Sequence, residues 1–380
     1  MYRSSKIFVL AVFFIVLSLP GLSLYGESIE PFIMPSARAS ALGGNHTALS
    51  DDFYALFSNP AAFVGVEDTY SVSELTLSLN GPVFEILDLV LSDDPLSHLS
   101  GVLGKRGFSA GVDVGGPVSV GWVGRGLGLG LFDRVRVDAS VTGTNIRPLV
   151  SGEIFLVGGY SFRIVNKSSH ILDAGFLGKG FYRGSMDLSM PLLSIADEGA
   201  FDDILGTKPF ATALGLGFDL GIKYTFAENL TAALVCFDAY SPALLTKYPS
   251  LDAFVDKTDS SGDYATVQPR LDLGLKYRIR SQFLDKYLSN FLILVDYQDF
   301  LDLFSLIPRN PILKVGIGVE VELLSVLSLR IGIADALPSA GFGIKLSFME
   351  LDCAIHGKEL GLDPGVQSVY AVDLGLLFRY

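Results

Sequence analysis

From about residue 67 onward, apolar and polar positions alternate with a period of two. Leu214, Leu216, Phe218, Leu220, Ile222 and Tyr224 alternate with Gly215, Gly217, Asp219, Gly221 and Lys223. Leu271 to Ile279 repeats the pattern against Asp272, Gly274, Lys276, Arg278 and Arg280, and Val315 to Leu323 repeats it against Gly316, Gly318, Glu320 and Glu322. Strict alternation denotes strands with one apolar and one polar face. A soluble sandwich would bury the apolar face in its core, whereas a membrane barrel would turn it to lipid. Sandwich strands are commonly about 5–6 residues. These runs match the roughly 9–11 residues that a tilted strand needs to cross a bilayer. The pattern therefore predicts an all-β fold, a transmembrane antiparallel β-barrel.

Strands are expected near 68–80, 134–145, 152–165, 170–183, 211–225, 229–239, 268–281, 289–299, 312–323, 326–334, 339–348, 349–357 and 367–380. The glycine-rich run 106–132 supplies one interrupted strand, giving about 14, with 12 or 16 as alternatives. With the C-terminus on the periplasmic side, long outside loops fall at 183–210 and 239–267, and tight turns alternate with them. The last strand ends Leu377-Phe378-Arg379-Tyr380, and a terminal aromatic residue resembles the signal read by barrel-insertion machinery.

Two N-terminal segments escape the alternation. Residues 1–26 carry Arg3 and Lys6, then the apolar run Ile7 to Leu19 and a breaker at Pro20, the pattern of a secretory signal peptide. Residues 27–66 then lack strand periodicity. They hold a small-residue stretch from Ser36 to Ala41, the pair Gly43-Gly44, the acidic pair Asp51-Asp52 and the triplet Asn59-Pro60-Ala61. Glycine permits backbone conformations closed to other residues, and proline restricts the residue before it and ends helical runs.

Those elements resemble the N-terminal hatch of FadL-like long-chain fatty acid transporters of diderm outer membranes. The resemblance implies a hatch at 27–66 inside a barrel at 67–380, of 14 strands, in the outer membrane. It further implies uptake of hydrophobic small molecules, long-chain fatty acids first among them, with binding in the barrel and lateral exit. A second reading keeps the FadL shape but makes the plugged barrel a scaffold or attachment protein, as in PorV-type secretion components.

Composition agrees with a membrane barrel and narrows the chemistry. Charged residues are 18% and apolar ones 49%, against about 25% charged in ordinary soluble domains. The formal net charge of −13 argues against nucleic acid or anionic lipid headgroups as partners. Cys236 and Cys353 exclude a disulfide framework, and His46, His98, His170 and His356 lack metal-ligand spacing. No cofactor, metal or catalytic constellation is expected, so the chain reads as a non-enzyme. Its expected partners are a hydrophobic ligand (fatty acid or other lipid) and outer-membrane lipid, and it should be a monomer.

Three sets of residues are candidates for ligand handling. Met186, Leu188, Met190, Leu192, Leu193 and Ile195, with Leu244 and Leu245, place apolar side chains in outside loops, where they would either form a landing groove or pack on one another. Lys314, Arg330 and Lys345 are inward cations able to hold a carboxylate headgroup or to pair with nearby acids. Gly115, Gly116 and Pro117 interrupt one strand, either as a turn or as a lateral gap.

Overall fold

In the computed structural model the alternating segments are strands, and they close on themselves. The structure describes residues 27–81, 108–116, 118–142, 144–191, 207–280 and 288–379. The segment 1–26 read as a signal peptide lies outside them. Fourteen antiparallel strands form the barrel. They are β1 (Thr69–Asn80), β2 in two pieces (Phe108–Gly115 and Val120–Gly124), β3 (Leu127–Thr142), β4 (Asn145–Lys167), β5 (His170–Asp187) and β6 (Phe210–Phe226). Next come β7 in two pieces (Leu230–Tyr240 and Pro242–Tyr248), β8 in two pieces (Ser261–Val267 and Arg270–Arg278) and β9 (Leu288–Tyr297). The last five are β10 (Val315–Leu323), β11 (Leu327–Ala334), β12 (Leu337–Lys345), β13 (Met349–Glu359) and β14 (Ser368–Arg379). Pairing of β14 with β1, from Ala371↔Asn80 to Phe378↔Ser73, closes the cylinder.

The glycine-rich run divides differently from the sequence expectation. Arg125 and Gly126 have φ of 52° and 83°, which makes a tight hairpin turn, so residues from Leu127 belong to β3 and not to the interrupted strand. Glycine alternates straight through this turn at Gly124, Gly126, Gly128 and Gly130, which is why the pattern hid it. The outside segments are also shorter as loops. Strand β5 runs to Asp187, and Pro242–Tyr248 and Ser261–Val267 are strands, not loop.

Wall height is uneven around the cylinder. Strands β10, β11 and β12 have 9, 8 and 9 residues, about the length that crosses a bilayer. By contrast β3, β4, β5 and β6 have 16, 23, 18 and 17. The surplus stands beyond the apolar band at the long-loop end. There the outward side chains of Val141 and Ile146 are covered by Met186, Leu188 and Met190.

The apolar faces point outward. Leu156, Leu216 and Ile331 are 65%, 61% and 62% exposed, while Arg330, Glu320, Asp272 and Asp296 are buried on the opposite face. This polarity is the reverse of a soluble sandwich and fits a wall whose outer surface is solvated by lipid.

Inside, residues 30–66 pack against the polar face of the wall. This inner segment, the hatch of the sequence expectation, comprises α1 (Ala37–Ala41), α2 (Ala55–Ser58) and a 3-10 turn, Pro60–Gly65. The polar-face glycines of the wall are its seat. A Cβ added at Gly332 would lie 2.5 Å from the Gly43 nitrogen, one at Gly318 would meet the Leu42 carbonyl, and one at Gly175 the Pro60 carbonyl. Backbone lies directly on backbone at these places, so no larger residue fits. Ahead of the hatch, Glu27–Ile29 pairs in parallel with Ala265–Val267 on the outer piece of β8. That piece is thereby tied to the N-terminal segment, while β9 pairs only with the inner piece, between Leu273 and Arg278.

Gly332→Val should displace the hatch without breaking the barrel, giving higher single-channel conductance in planar bilayers with heat-modifiable gel mobility retained. Gly180→Val should leave conductance unchanged, because a Cβ there meets only the far end of Leu216, at 3.8 Å.

Candidate functional site

Each element of the hatch motif has a definite task. Ser36 caps α1 by accepting the Ala39 N–H at 3.3 Å. Gly43 and Gly44 take φ of +72° and +76°, the left-handed region in which glycine is unstrained. Asn59 accepts the Ala61 N–H at 2.9 Å, capping the 3-10 turn begun by Pro60, and donates to the Thr47 carbonyl at 3.1 Å.

Asp51 and Asp52 hold Arg38. The guanidinium donates from Nη1 to Asp51 and Asp52 at 2.9 and 2.5 Å, and from Nε and Nη2 to the two oxygens of Glu320 at 2.9 and 2.7 Å. Glu320 on β10 also accepts from Arg330 on β11 at 2.7 Å, and Arg330 reaches Asp352 on β13. A chain of alternating charge thus runs from the hatch across three wall strands. Burial alone would lower the Arg38 pKa, but Glu320, Asp51 and Asp52 outweigh it and raise the value well above its usual range. Burial would likewise raise Asp51, yet Arg38 and Lys276 hold its carboxyl below the usual carboxylate range. Because that pKa is depressed in the folded state, the contribution of Asp51 is present at neutral pH and is lost only as acid protonates it.

The three cations proposed for a headgroup are each beside acids. Arg330 is in the chain just described, Lys314 lies 2.9 and 3.1 Å from Asp299 and Asp302, and Lys345 lies 3.7 Å from Glu350. A different cation faces open space. Arg270, at the start of the inner piece of β8, pairs with Asp272 at 3.0 Å and lies over the Phe237 ring at 4.6 Å. Its Nε has no hydrogen-bond partner. It borders a cavity of about 230 Å³ between hatch and wall, together with Phe32, Met34, His46, Leu49, Phe57 and Gln298. Extending the alternation from Asp272 back by two residues names Arg270 as inward. The sequence reading placed this strand at 268–281 but began its alternation at Leu271, and so passed over Arg270.

A second, larger cavity of about 680 Å³ lies at β3, β4 and β5 towards the long-loop end. Val135, Ile154 and Tyr182 form its floor, Gly152 and Gly184 leave it deep, and Met186, Leu188, Phe210, Leu251 and Phe254 enclose its upper part. Phe210 and Phe254 meet with centroids 4.7 Å apart and ring planes tilted by 49°, Phe254 coming from α3 (Leu251–Asp256) in the loop after β7. Met186 and Leu188 therefore line an apolar cavity, and Met190 packs beside them. Leu244 and Leu245 do not join it as a loop surface. Both are on the outer piece of β7, where Leu245 is buried and Leu244 is 54% exposed. Leu192, Leu193 and Ile195 lie outside the described residues.

The interrupted strand lies between the two cavities. Gly115 pairs with Arg134 and Val120 with Leu131, so residues 116–119 face only two residues of β3. Gly116 takes φ of +81°. Asp133 gathers the break, accepting the Gly116 N–H on its carbonyl at 3.1 Å and the Val118 N–H on its carboxylate at 3.0 Å. On the other side β1 pairs with β2 at Thr69–Ser71 and Thr76–Asn80, leaving 72–75 out of that ladder. Pro117 lies outside the described residues. Met34 of the hatch approaches Gly115 from the lumen, and Val118 lines the larger cavity. Between the cavities stands an aromatic partition: Phe32 on Phe155 at 3.5 Å, and Phe57 edge-on to Phe132 at 4.6 Å.

Among solved structures, a FadL homologue of Pseudomonas aeruginosa superposes with a TM-score of 0.50 over 92% of this chain and 99% of its own, at 12% identity. The fold is a FadL-like barrel. Two toluene transporters, TodX of Pseudomonas putida and TbuX of Ralstonia pickettii, match with TM-scores of 0.46 and 0.47, at 12% and 11% identity, over 93% of this chain and 98% of theirs. No protein-family model and no curated protein matches the sequence. In this FadL-like barrel the hatch and the broken strand meet at one point of the wall.

Removing Arg38 leaves three acids facing one another without their shared cation. Arg38→Ala is expected to cost the docked hatch about 3–5 kcal/mol, the range for breaking a buried pair, read as lost hydrogen-exchange protection at 37–62. Lys247→Ala, which removes an exposed pair with Glu27, should change protection by about 0–1 kcal/mol.

Proposed function

We propose that this FadL-like barrel carries hydrophobic small molecules across an outer membrane, with passage sideways through the wall at the break in β2. The observation that carries this reading is the pair of cavities, one in the lumen and one at the wall, parted by Phe32, Phe57, Phe132 and Phe155 where the strand ladder is interrupted. Unpaired backbone at membrane depth is expensive unless it lines a cavity. Its placement between two apolar spaces supports a ligand path. The larger cavity is of ligand size, within the roughly 300–1,000 Å³ common for binding pockets.

Within that class, an anionic amphiphile such as a long-chain fatty acid fits the lumen cavity best. Phe32, Met34, Leu49 and Phe57 supply apolar lining and Arg270 an incompletely partnered guanidinium, so one end accepts a chain and the other a carboxylate. A plugged scaffold is the second reading, and the Arg38 network favours it because it fastens the hatch to the wall.

Uptake of a fatty acid into proteoliposomes holding an acyl-binding fluorescent reporter separates the two. Phe57→Ala should open the partition and raise the uptake rate severalfold. Gly152→Trp, whose Cβ meets nothing within 4 Å, should fill the wall cavity and reduce uptake to that of protein-free liposomes. Equal rates for both variants and the native barrel would leave the scaffold reading standing.

A further inference from the structure

The hatch meets the wall at a second place, around His46. His46 follows the Gly43-Gly44 turn and sits against the wall where β8 and β9 run side by side. Its Nδ1 is 2.7 Å from the Gly44 carbonyl, and its Nε2 is 3.2 Å from Oδ2 of Asp272. Each ring nitrogen thus faces an oxygen acceptor. A neutral imidazole carries one N–H and one lone pair, so in either tautomer it would set a lone pair against an oxygen. Only the doubly protonated ring satisfies both neighbours.

The surroundings are built for that charge. Asp296 on β9 accepts the backbone N–H groups of His46 and Thr47 at 2.9 and 2.8 Å, and its Oδ2 lies 4.0 Å from Nδ1. Asp272 on β8 has a side chain with no exposed surface and is shared with Arg270 at 3.0 Å. Gln298 beyond β9 donates to the same Gly44 carbonyl at 2.9 Å. The other charged groups bordering the adjoining cavity are Arg38 and Asp52 of the hatch and Asp238 of β7, and each has its own ion-pair partner in Asp51, Arg38 and Lys179 respectively. Two buried carboxylates therefore face His46, against one guanidinium that shares the nearer of them.

We propose that protonated His46 is a pin holding the hatch between Asp272 and Asp296, and that its deprotonation loosens the hatch beside the lumen cavity. The sign follows from the charges. Burial works to lower the pKa of His46, but Asp272 and Asp296 outweigh burial and Arg270 and raise it above 6.5. A group whose folded pKa is raised contributes its full stabilisation below the unfolded value, and loses it as pH rises through the folded value. This second fastening is accordingly tight in acid and looser in alkali. This device operates on the plug and does not require that any ligand be carried.

Hydrogen exchange of the backbone at 42–50, measured on the full barrel in detergent from pH 5 to 9 and corrected for the intrinsic rate, tests it. Protection in the native protein should fall about tenfold through a midpoint above 6.5. His46→Gln, which cannot be protonated, should lack the transition and show the low alkaline protection at every pH. Asp296→Asn removes one facing carboxylate and should move the midpoint down, a change that a merely space-filling histidine would not produce. Heat-modifiable gel mobility confirms that each barrel is assembled. A native protection profile flat from pH 5 to 9, or the same transition in His46→Gln, would overturn the proposal.

Discussion

Backbone-on-backbone contact between the hatch and the inner wall is the constraint from which the rest of the structure follows. A barrel of fourteen strands encloses a lumen that must be filled or left as water, and here it is filled by a short segment with little regular structure of its own. Such a segment buries many backbone groups, each needing a partner. The wall meets this need in two ways. Its glycines let hatch carbonyls and amides approach closely, and its acids Glu320, Asp272 and Asp296 meet Arg38 and the His46-Thr47 step of the hatch. The polar face of the strands is therefore a docking surface, which explains why it is glycine and charge in place of the ordinary polar residues of a water channel.

The charges are arranged to make that docking directional. Arg38 is useful only where Glu320, Asp51 and Asp52 converge, because a buried guanidinium left unpaired would be strongly unfavourable. The same reasoning applies to His46 between Asp272 and Asp296. The two fastenings respond to pH in opposite directions, since a depressed carboxylate loses its hold in acid and a raised imidazole loses its hold in alkali. Between them the hatch is held most firmly near neutrality and slightly below. The break in β2 lies beside the aromatic partition, where Asp133 of β3 takes up the N–H groups of Gly116 and Val118.

Length differences around the cylinder decide where apolar surface is available. Short strands β10 to β12 cross the bilayer and stop. Strands β3 to β6 continue past it, and their outward faces would meet water if Leu188, Met190, Leu251 and Phe254 did not lie across them. Gly152 and Gly184 interrupt the packing under that cover and leave the larger cavity, at the edge between the covered face and the lipid-exposed band.

Much of this was legible in residue order, because a period of two is a local property. Alternation marked the strands, their length separated a membrane barrel from a sandwich, and the loss of alternation before residue 67 marked the segment that packs against the inner wall. The acidic pair, the glycine pair and the Asn59-Pro60 step were recognisable because capping and turn geometry act within a few residues. What the chain order could not supply was which inward cation is committed to which acid. Lys314, Arg330 and Lys345 look alike along the sequence, and their pairing depends on strands brought together by register and closure. Arg270 and His46 became significant only when the cylinder set β8 and β9 against the hatch. The turn at Arg125-Gly126 was hidden for the converse reason: alternating glycine satisfies both a strand face and a hairpin, and only the ladder between β2 and β3 chooses between them. Local periodicity is written in the sequence, whereas the partners of buried charges are fixed by which distant strands close the barrel.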